Sequence, residues 1–193
     1  MALPKLDRWS GAEYLAFERE SVDAKHELIN GEIVAMVGAS RAHNIITHNV
    51  SFQFGMQLRE RDCEVYAADM RVQVEADATY TYPDVVVVCG EPKLLDKHFD
   101  TLLNPTVLVE VLSPSTELKD RRQKLAQYKA IASLQDYLLV SQDTPRIERY
   151  KRQGSGWWYE DVVVLDGALK IASVDCELSM SEVYRKVVFG EDD

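Results

Sequence analysis

The sequence predicts a mixed α/β (α+β) fold in which a central β-sheet is flanked by helices. Two nearly continuous apolar runs, at residues 82–90 and 106–112, are typical of strands buried on both faces of a sheet. Helix-start patterns occur on both sides of these runs, and an Asn-Gly pair marks a hairpin near the N-terminus. Helices and strands interspersed in this way favour one layered core, so we predict a single domain over residues 1–193.

The first elements are predicted by capping and turn chemistry. Ser10 and Glu13 form a capping-box pattern, which predicts a short N-terminal helix. The pair Asn30-Gly31 lies between two apolar-bearing runs and is preferred in two-residue hairpin turns. Residues 40 to about 59 then predict a longer amphipathic helix. Helical spacing places four residues on one face of this helix, which we expect to be its buried face: Ile45, Asn49, Phe52 and Met56.

The later elements are predicted by alternation and by further helix starts. Residues 63–75 contain an alternating run with Met70, Val72 and Val74 on one side. The segment 113–116 supplies helix-start chemistry for a helix that runs to about Ile131. Three further strands are predicted in DYLLVS, RIERYK and GWWYEDVVVL. A final helix is expected to begin at Ser179, with Glu182 completing a second capping box.

Charge and composition restrict the classes of function. The chain has 22 basic and 32 acidic residues, which gives a net charge of −10. This balance disfavours loose, charge-driven wrapping of nucleic acid but allows a local basic groove. It also implies that a divalent cation would have to offset the charge of any acidic site. We expect a cytoplasmic protein, since the sequence has neither a membrane-spanning apolar run nor a secretory pattern at its start.

The three cysteines are Cys63, Cys89 and Cys176, and they are widely spaced. Because no CxxC pair occurs, neither a zinc site nor a disulfide framework is indicated. We therefore predict three reduced and mostly buried thiols.

Asp84 and Glu110 interrupt strands that are otherwise apolar. The two-residue period of a strand places Asp84 on the face of Val86, and Glu110 on the face of Leu108. A buried carboxylate without a partner costs several kcal/mol, so the fold must supply a cation, a hydrogen-bond network or a metal. Two carboxylates on neighbouring strands can bind one hard divalent ion through oxygen. Alternatively, Asp84 caps a strand and Glu110 pairs structurally with an arginine.

The helix after Glu110 carries basic residues toward its apolar side. Steps of 100° place Arg121 within the apolar stripe and Lys124 at its border. Long basic side chains in these positions can reach an acidic site or the phosphate that it binds. They can equally extend along the surface into solvent.

Two further polar residues precede these strands. Glu27, just before the hairpin turn, is either a third carboxylate of the site or a solvated strand residue. His43 lies in the first turn of the long helix, where a surface or satisfied core histidine is the more common interpretation.

A series of motifs in chain order resembles the Uma2-type restriction endonuclease family, which belongs to the PD-(D/E)XK nuclease superfamily. The resemblance runs from about Tyr14 to Tyr150. Its motifs are ELINGE, the histidine at position 43, PDVVVV, LVEVLSPST, the later Asp120, Lys124 and Tyr128, and DYLLV. The EVLSPST segment with its downstream lysine and tyrosine is the most specific of them.

The resemblance implies a restriction endonuclease-like core with Asp84 and Glu110 as metal-binding acids on adjacent strands. The superfamily pattern expects x-Lys after the glutamate, whereas this sequence has Val111-Leu112. The family moves the lysine onto the next helix, where Lys124 is the matching position. Glu27 matches a frequent acidic position of the family and is expected to complete the metal site.

The function expected from this site is Mg²⁺-dependent (or Mn²⁺-dependent) DNA endonuclease activity. Asp84 and Glu110 would bind the ion, and Lys124 would orient water or stabilise charge on the transition state. Arg121 would contact the phosphate or pair structurally with Glu110. Cutting two strands with one site per chain favours a homodimer.

Two other functions are compatible with the sequence. One is a catalytically inactive nuclease fold that serves as a DNA-binding or protein-interaction module, which the missing x-Lys and the net charge favour. The other is a nuclease that acts on RNA or on branched DNA.

Overall fold

The computed structural model describes residues 8–113 and 120–190, whose strands form two larger sheets and one small one. The N-terminal half contains α1 (Gly11–Glu20), β1 (His26–Ile29), β2 (Glu32–Ala35), α2 (Arg41–Leu58), β3 (Cys63–Ala67), β4 (Arg71–Glu75), β5 (Thr79–Thr81) and β6 (Val85–Cys89). It is followed by β7 (Thr101–Leu102), β8 (Val107–Leu112), a π-helical turn (Asp120–Lys124), α3 (Leu125–Tyr128), β9 (Asp136–Ser141), β10 (Ile147–Gln153), β11 (Gly156–Val162), β12 (Ala168–Ile171), β13 (Cys176–Ser179) and α4 (Met180–Val183).

The sheets mix parallel and antiparallel pairs, as the sequence predicts for an α+β protein. The six-stranded sheet has the order β11-β10-β9-β8-β6-β3, and only its β8–β9 pair is parallel. The five-stranded sheet has the order β2-β1-β5-β4-β7, with β4 and β7 parallel. The division into two sheets was not predicted, because the alternating run at 63–75 splits into β3 and β4 on different sheets.

Both faces of the six-stranded sheet are buried at its central strands β6 and β8, which confirms the prediction made from the apolar runs. On one face, α2, β12, β13 and α4 pack against side chains such as Val85, Val109 and Val111. On the other face, α3 and part of the five-stranded sheet cover alternate residues such as Val86 and Leu108. Asp84 and Glu110 belong by alternation to this second face. Their charges therefore lie where two layers meet.

The predicted N-terminal capping box and hairpin are confirmed. The Ser10 side chain accepts from the Glu13 amide, and the Glu13 carboxylate accepts from the Ser10 amide. Asn30 and Gly31 form the two-residue turn with φ values of 52° and 81°, as a type I′ turn requires. A Cβ atom at Gly31 would also lie only 2.9 Å from Arg8 Cβ. Glycine is thus favoured there by conformation and by space.

The long helix forms where it was predicted, but the predicted buried face is wrong. Ser40 is its N-cap, and the buried residues are Ile46, Val50, Phe54 and Leu58. Phe52 and Met56 are instead 58% and 51% exposed. Both sets of residues have helical spacing, so spacing alone does not show which face of the helix is buried. The buried face is the one that packs against the six-stranded sheet. Asn49 lies at the edge of the interface and donates to the carbonyl groups of Val183 and Arg185.

The two later helices differ from prediction in length and capping. The predicted start of the helix at 113–116 falls largely outside the described residues, and the described part ends at Tyr128 rather than near Ile131. The second capping box is wrong, because Ser179 makes no side-chain cap bond and α4 has only four residues. The amide of Ser179 instead donates to the Gln53 side chain, so contact with α2 replaces the local cap.

The prediction of three reduced thiols is wrong for two of the cysteines. Cys63 and Cys89 are directly opposite each other on the antiparallel strands β3 and β6, and they form a disulfide bond. The 26-residue separation hides this pairing, because only the strand register brings the two residues together. Cys176 is a buried free thiol, as predicted.

No helix within the described ranges is both long and apolar enough to cross a membrane. The cytoplasmic location stays a prediction.

Reduction of the Cys63–Cys89 disulfide is expected to lower the free energy of unfolding by about 3 kcal/mol, since the bond restricts a loop of the unfolded chain. Urea titrations followed by circular dichroism, with and without reductant, measure the difference. The control Cys176→Ser should keep the reductant-dependent difference, whereas Cys63→Ser should abolish it. A wild-type midpoint that does not respond to reductant would contradict the bond.

Candidate active site

A cleft of about 980 Å³ brings together residues from both large sheets, α2 and the π-helical turn. Four residues singled out in the sequence line it, namely Glu27, Asp84, Glu110 and Lys124. His43, at the start of α2, lines it as well. The cleft also has an apolar rim, formed by Val34, Met36 and Val37 between the hairpin and α2.

Asp84 lies immediately before β6 and faces the cleft. The register that sets Val85 opposite Val109 brings Asp84 opposite Glu110 on the neighbouring strand β8. Its Oδ2 atom accepts a 2.7 Å hydrogen bond from the Val111 amide and lies 3.3 Å from His43 Nε2. The side chain is 18% exposed, so it is held by the backbone of β8 while remaining accessible from the cleft.

Glu110, Lys124 and Glu27 form a buried ionic cluster. Lys124 Nζ lies 2.8 Å from Glu110 Oε1 and 3.1 Å from Glu27 Oε1. Each of the three residues is at most 6% exposed. The cluster joins β1 of the five-stranded sheet, β8 of the six-stranded sheet and the π-helical turn. Because charges buried this deeply need partners, the ammonium group and the two carboxylates stabilise one another.

Two hydrogen-bond donors among the described residues also contact these carboxylates. The Tyr128 hydroxyl, on α3, donates to Glu110 Oε1 over 2.7 Å. Full burial, reinforced by the charge of Glu110, raises the pKa of Tyr128 well above its usual value. The Tyr82 amide donates to Glu27 Oε1 over 3.3 Å.

Tyr82 also connects the wall of the cleft to a buried polar network. Arg71 donates from Nε and Nη2 to the Tyr82 hydroxyl, which in turn donates to Glu18 Oε1 over 3.1 Å. Burial raises the pKa of Tyr82 to about 12, so the phenol stays protonated and keeps this bond. Glu18 accepts from the amide and the ring of His26, one residue before Glu27. The network thus supports the strand that carries Glu27.

Lys25 is a second lysine of the cleft, and sequence reasoning missed it. It forms an ion pair with Asp69, and its Nζ lies 5.3 Å from the centre of the Tyr82 ring. Its side chain is 43% exposed, in contrast to Lys124. Burial of its inner part lowers the pKa of the Lys25 ammonium. No sequence motif marks Lys25, because its place at the cleft depends on the sheet to which β1 belongs.

Arg121 points to another part of the molecule. Its Nη1 atom lies 2.5 Å from both carboxylate oxygens of Glu148, a buried residue of β10. Arg121 is not among the residues that line the cleft. The proposed phosphate contact of Arg121 stays a prediction, and the ion pair observed for it is with Glu148 rather than Glu110.

The donor set of the cleft suits a hard cation bound by few protein ligands. Within residues 8–113 and 120–190, no group of three or more His, Cys, Asp or Glu side chains has an arrangement that could bind a metal ion. Mg²⁺, however, is commonly bound by one or two carboxylates, with water and substrate phosphates as the other ligands. Asp84 and Glu110, on paired strands at one cleft, fit that requirement.

Comparison with known proteins agrees with this architecture. The model of the family described as Uma2, putative restriction endonuclease, matches residues 12–180. The uncharacterized protein sll1609 of Synechocystis is 38% identical over 149 residues, covering 77% of this chain and 84% of that protein. The uncharacterized protein slr1290 of the same organism is 36% identical over 186 residues, covering 96% of this chain and 95% of that protein.

A solved structure shows the same fold. The crystal structure of a putative nuclease belonging to DUF820, from Anabaena variabilis, superposes with a TM-score of 0.76 and covers 93% of this chain and 99% of that one. The two chains share 16% identity, so this likeness concerns the fold alone. The family match extends over most of the sequence, from α1 to the start of α4. The chain belongs to the Uma2 family of putative restriction endonucleases.

Proposed function

We propose that this protein is a metal-dependent endonuclease that hydrolyses phosphodiester bonds in DNA. The observation that carries the proposal is the meeting, at one cleft, of Asp84 and Glu110 on paired strands with a lysine ammonium 2.8 Å from Glu110. Carboxylates for a hard cation and a fixed positive charge are the groups that phosphodiester hydrolysis requires. Membership of the Uma2 family and the nuclease-like fold support the same reaction class.

Asp84 and Glu110 would bind Mg²⁺ or Mn²⁺. When bound, such an ion polarises the scissile phosphate and lowers the pKa of a coordinated water molecule. The Val111 amide and His43 hold one oxygen of Asp84, which orients this carboxylate toward the cleft. A role for Glu27 as a third ligand stays a prediction. Its contacts with Lys124 and the Tyr82 amide support a second role, namely anchoring the lysine.

Lys124 would orient the attacking water or stabilise the charge that develops on the phosphate. Its ammonium group is held by Glu27 and Glu110 and is buried at the floor of the cleft. Fixed charges in a site with little water stabilise a transition state more strongly than the same charges in solution. The lysine therefore needs no large rearrangement before the reaction.

Lys25 is our candidate for contact with the phosphate backbone of the substrate. It lines the cleft with Asp84 and Glu110 and keeps 43% of its side chain exposed. Its partner Asp69 is itself 79% exposed, so a phosphate group can replace this carboxylate without burying a charge.

Two parts of the proposal, the substrate and the oligomeric state, go beyond the site itself. DNA is the proposed substrate, with RNA and branched DNA as alternatives. A homodimer with two-fold symmetry would supply one site for each strand. The catalytically inactive module remains the second candidate, favoured by the net charge of −10 and by Val111-Leu112 at the x-Lys position.

Replacement of Asp84 by Asn or Glu110 by Gln is expected to reduce cleavage to background, because each removes a metal-binding charge. The assay uses plasmid, linear, branched and single-stranded DNA together with RNA, in Mg²⁺ or Mn²⁺. The variant Lys124→Met should cut about 10²–10³-fold more slowly, the usual cost of losing one transition-state contact. It should also unfold more readily, by about 3–5 kcal/mol, since the two buried carboxylates lose their cation.

A double variant separates the two effects of Lys124. Lys124→Met combined with Glu27→Gln removes one positive and one negative charge, so the net charge of the cluster stays unchanged. We expect this variant to regain part of the lost stability, because one buried carboxylate instead of two is left without the cation, but not to regain cleavage. Restored cleavage would contradict the role of Lys124. No cleavage of any substrate by the wild type, with DNA binding intact, would favour the inactive module.

Lys25→Met is expected to reduce the salt dependence of DNA binding by about one unit in the slope of log Kd against log salt. Fluorescence anisotropy in Ca²⁺, used here to suppress cleavage, measures this slope. Lys25→Arg should preserve it. The matched control is Lys170→Met, an exposed lysine on β12 that does not line the cleft. Equal slopes for Lys25→Met and wild type would remove Lys25 from the proposed interface.

A further inference from the structure

Tyr128 is completely buried and contacts the same carboxylate oxygen as Lys124. Its hydroxyl lies 2.7 Å from Glu110 Oε1, and Lys124 Nζ lies 2.8 Å from that atom. An ionised carboxylate only accepts hydrogen bonds, so the phenolic hydrogen must point at Oε1. The ring is fixed by edge-on packing against Tyr137, with the ring centres 5.0 Å apart. Among the described residues, Glu110 Oε1 thus accepts from a rigid donor, Tyr128, and from a charged donor, Lys124.

A second hydroxyl group, that of Thr81, lies behind the phenol. Thr81 Oγ1 is 3.0 Å from the Tyr128 oxygen, and Thr81 is fully buried on β5. Because the single hydrogen of Tyr128 is directed at Glu110, the Thr81 hydroxyl must donate to the phenol oxygen. This orients the phenol hydrogen away from Thr81. A hydrogen-bond chain therefore runs from the five-stranded sheet through α3 to the six-stranded sheet.

Tyr128 and Lys124 lie on the same side of the helical segment that carries them. The two residues are four positions apart, at the end of the π-helical turn and the end of α3, so both face Glu110. A lysine has a flexible stem and a freely rotating ammonium group, whereas a buried phenol has a fixed direction. The carboxylate held by Tyr128 therefore gives the lysine a fixed partner.

We propose that Tyr128 is a positioning residue: through its hydroxyl group it fixes Glu110, and through Glu110 it fixes the Lys124 ammonium at the floor of the cleft. The effect on catalysis rests on the proposed nuclease function. The position of the ammonium group, in contrast, can be measured without metal or substrate. Hydrogen-bond partners of metal-binding side chains typically change metal affinity or activity by about 10–100-fold when they are removed.

The first measurement is the ¹H–¹⁵N NMR signal of the Lys124 ammonium group in the metal-free protein, assigned by its loss in Lys124→Met. Tyr128→Phe keeps the ring and removes one oxygen atom. We expect it to shift or broaden the ammonium signal, and Thr81→Val to do so less strongly. The control is Tyr184→Phe, which removes another buried tyrosine hydroxyl, one that bonds to backbone atoms of Ser141 and Arg146. It should leave the signal unchanged.

The second measurement is the Kd for Mn²⁺, determined by electron paramagnetic resonance on the same folded proteins. Tyr128→Phe should weaken binding about 10–100-fold, while Tyr184→Phe should not. An ammonium signal that is unchanged in both Tyr128→Phe and Thr81→Val would overturn the positioning role. A Kd for Mn²⁺ that is the same in Tyr128→Phe as in a tightly binding wild type would overturn it as well. If Tyr128→Phe does not fold, Thr81→Val decides. A wild type without Mn²⁺ binding, but with the expected NMR change, would refute the proposed function while supporting the positioning role.

Discussion

The buried ammonium group of Lys124 is the charge on which the rest of the site depends. It lies between Glu27 on the five-stranded sheet and Glu110 on the six-stranded sheet, at 3.1 and 2.8 Å. Any one of these groups buried alone would cost several kcal/mol, so each requires the others to remain in place. The two sheets and the turn that carries Lys124 are therefore linked by electrostatics as well as by apolar packing, and the cleft forms along that junction.

Under the proposed nuclease function, the local charge balance offers a way for an acidic protein to bind an anionic substrate. The cluster contains one cation and two carboxylates, and Asp84 adds a further carboxylate at the same cleft. An excess of negative charge repels phosphate groups but attracts a divalent cation, which can bind both the carboxylates and the phosphate. Lys25 supplies positive charge at the accessible part of the cleft. Under the proposed function, metal binding and substrate binding would therefore be coupled by charge.

Sequence reasoning succeeded where alternation along one strand decides the outcome. The period of two predicts Asp84 on the face of Val86 and Glu110 on the face of Leu108, and the structure confirms both placements. The register of β6 and β8 then brings the two carboxylates to one face of the sheet. Sequence reasoning was less accurate for Lys124, which a regular helical wheel puts at the border of the apolar stripe. The π-helical turn changes the angle between successive residues, so that Lys124 is buried and Arg121 pairs with Glu148. Contacts that join distant segments, such as Thr81 with Tyr128, leave no local pattern in the sequence.

The geometry of β8 explains why the lysine that contacts Glu110 lies on the following helical turn and not two residues after Glu110 on the strand. That position is Leu112, which shares the face of Glu110 and packs in the apolar cluster that contains Tyr128. A lysine there would bury its charge among apolar side chains and would displace that packing. Val111 faces the opposite core and contributes its amide to Asp84. Only an element that covers the second face, as the turn before α3 does, can bring an ammonium group to Glu110 without disturbing the strand.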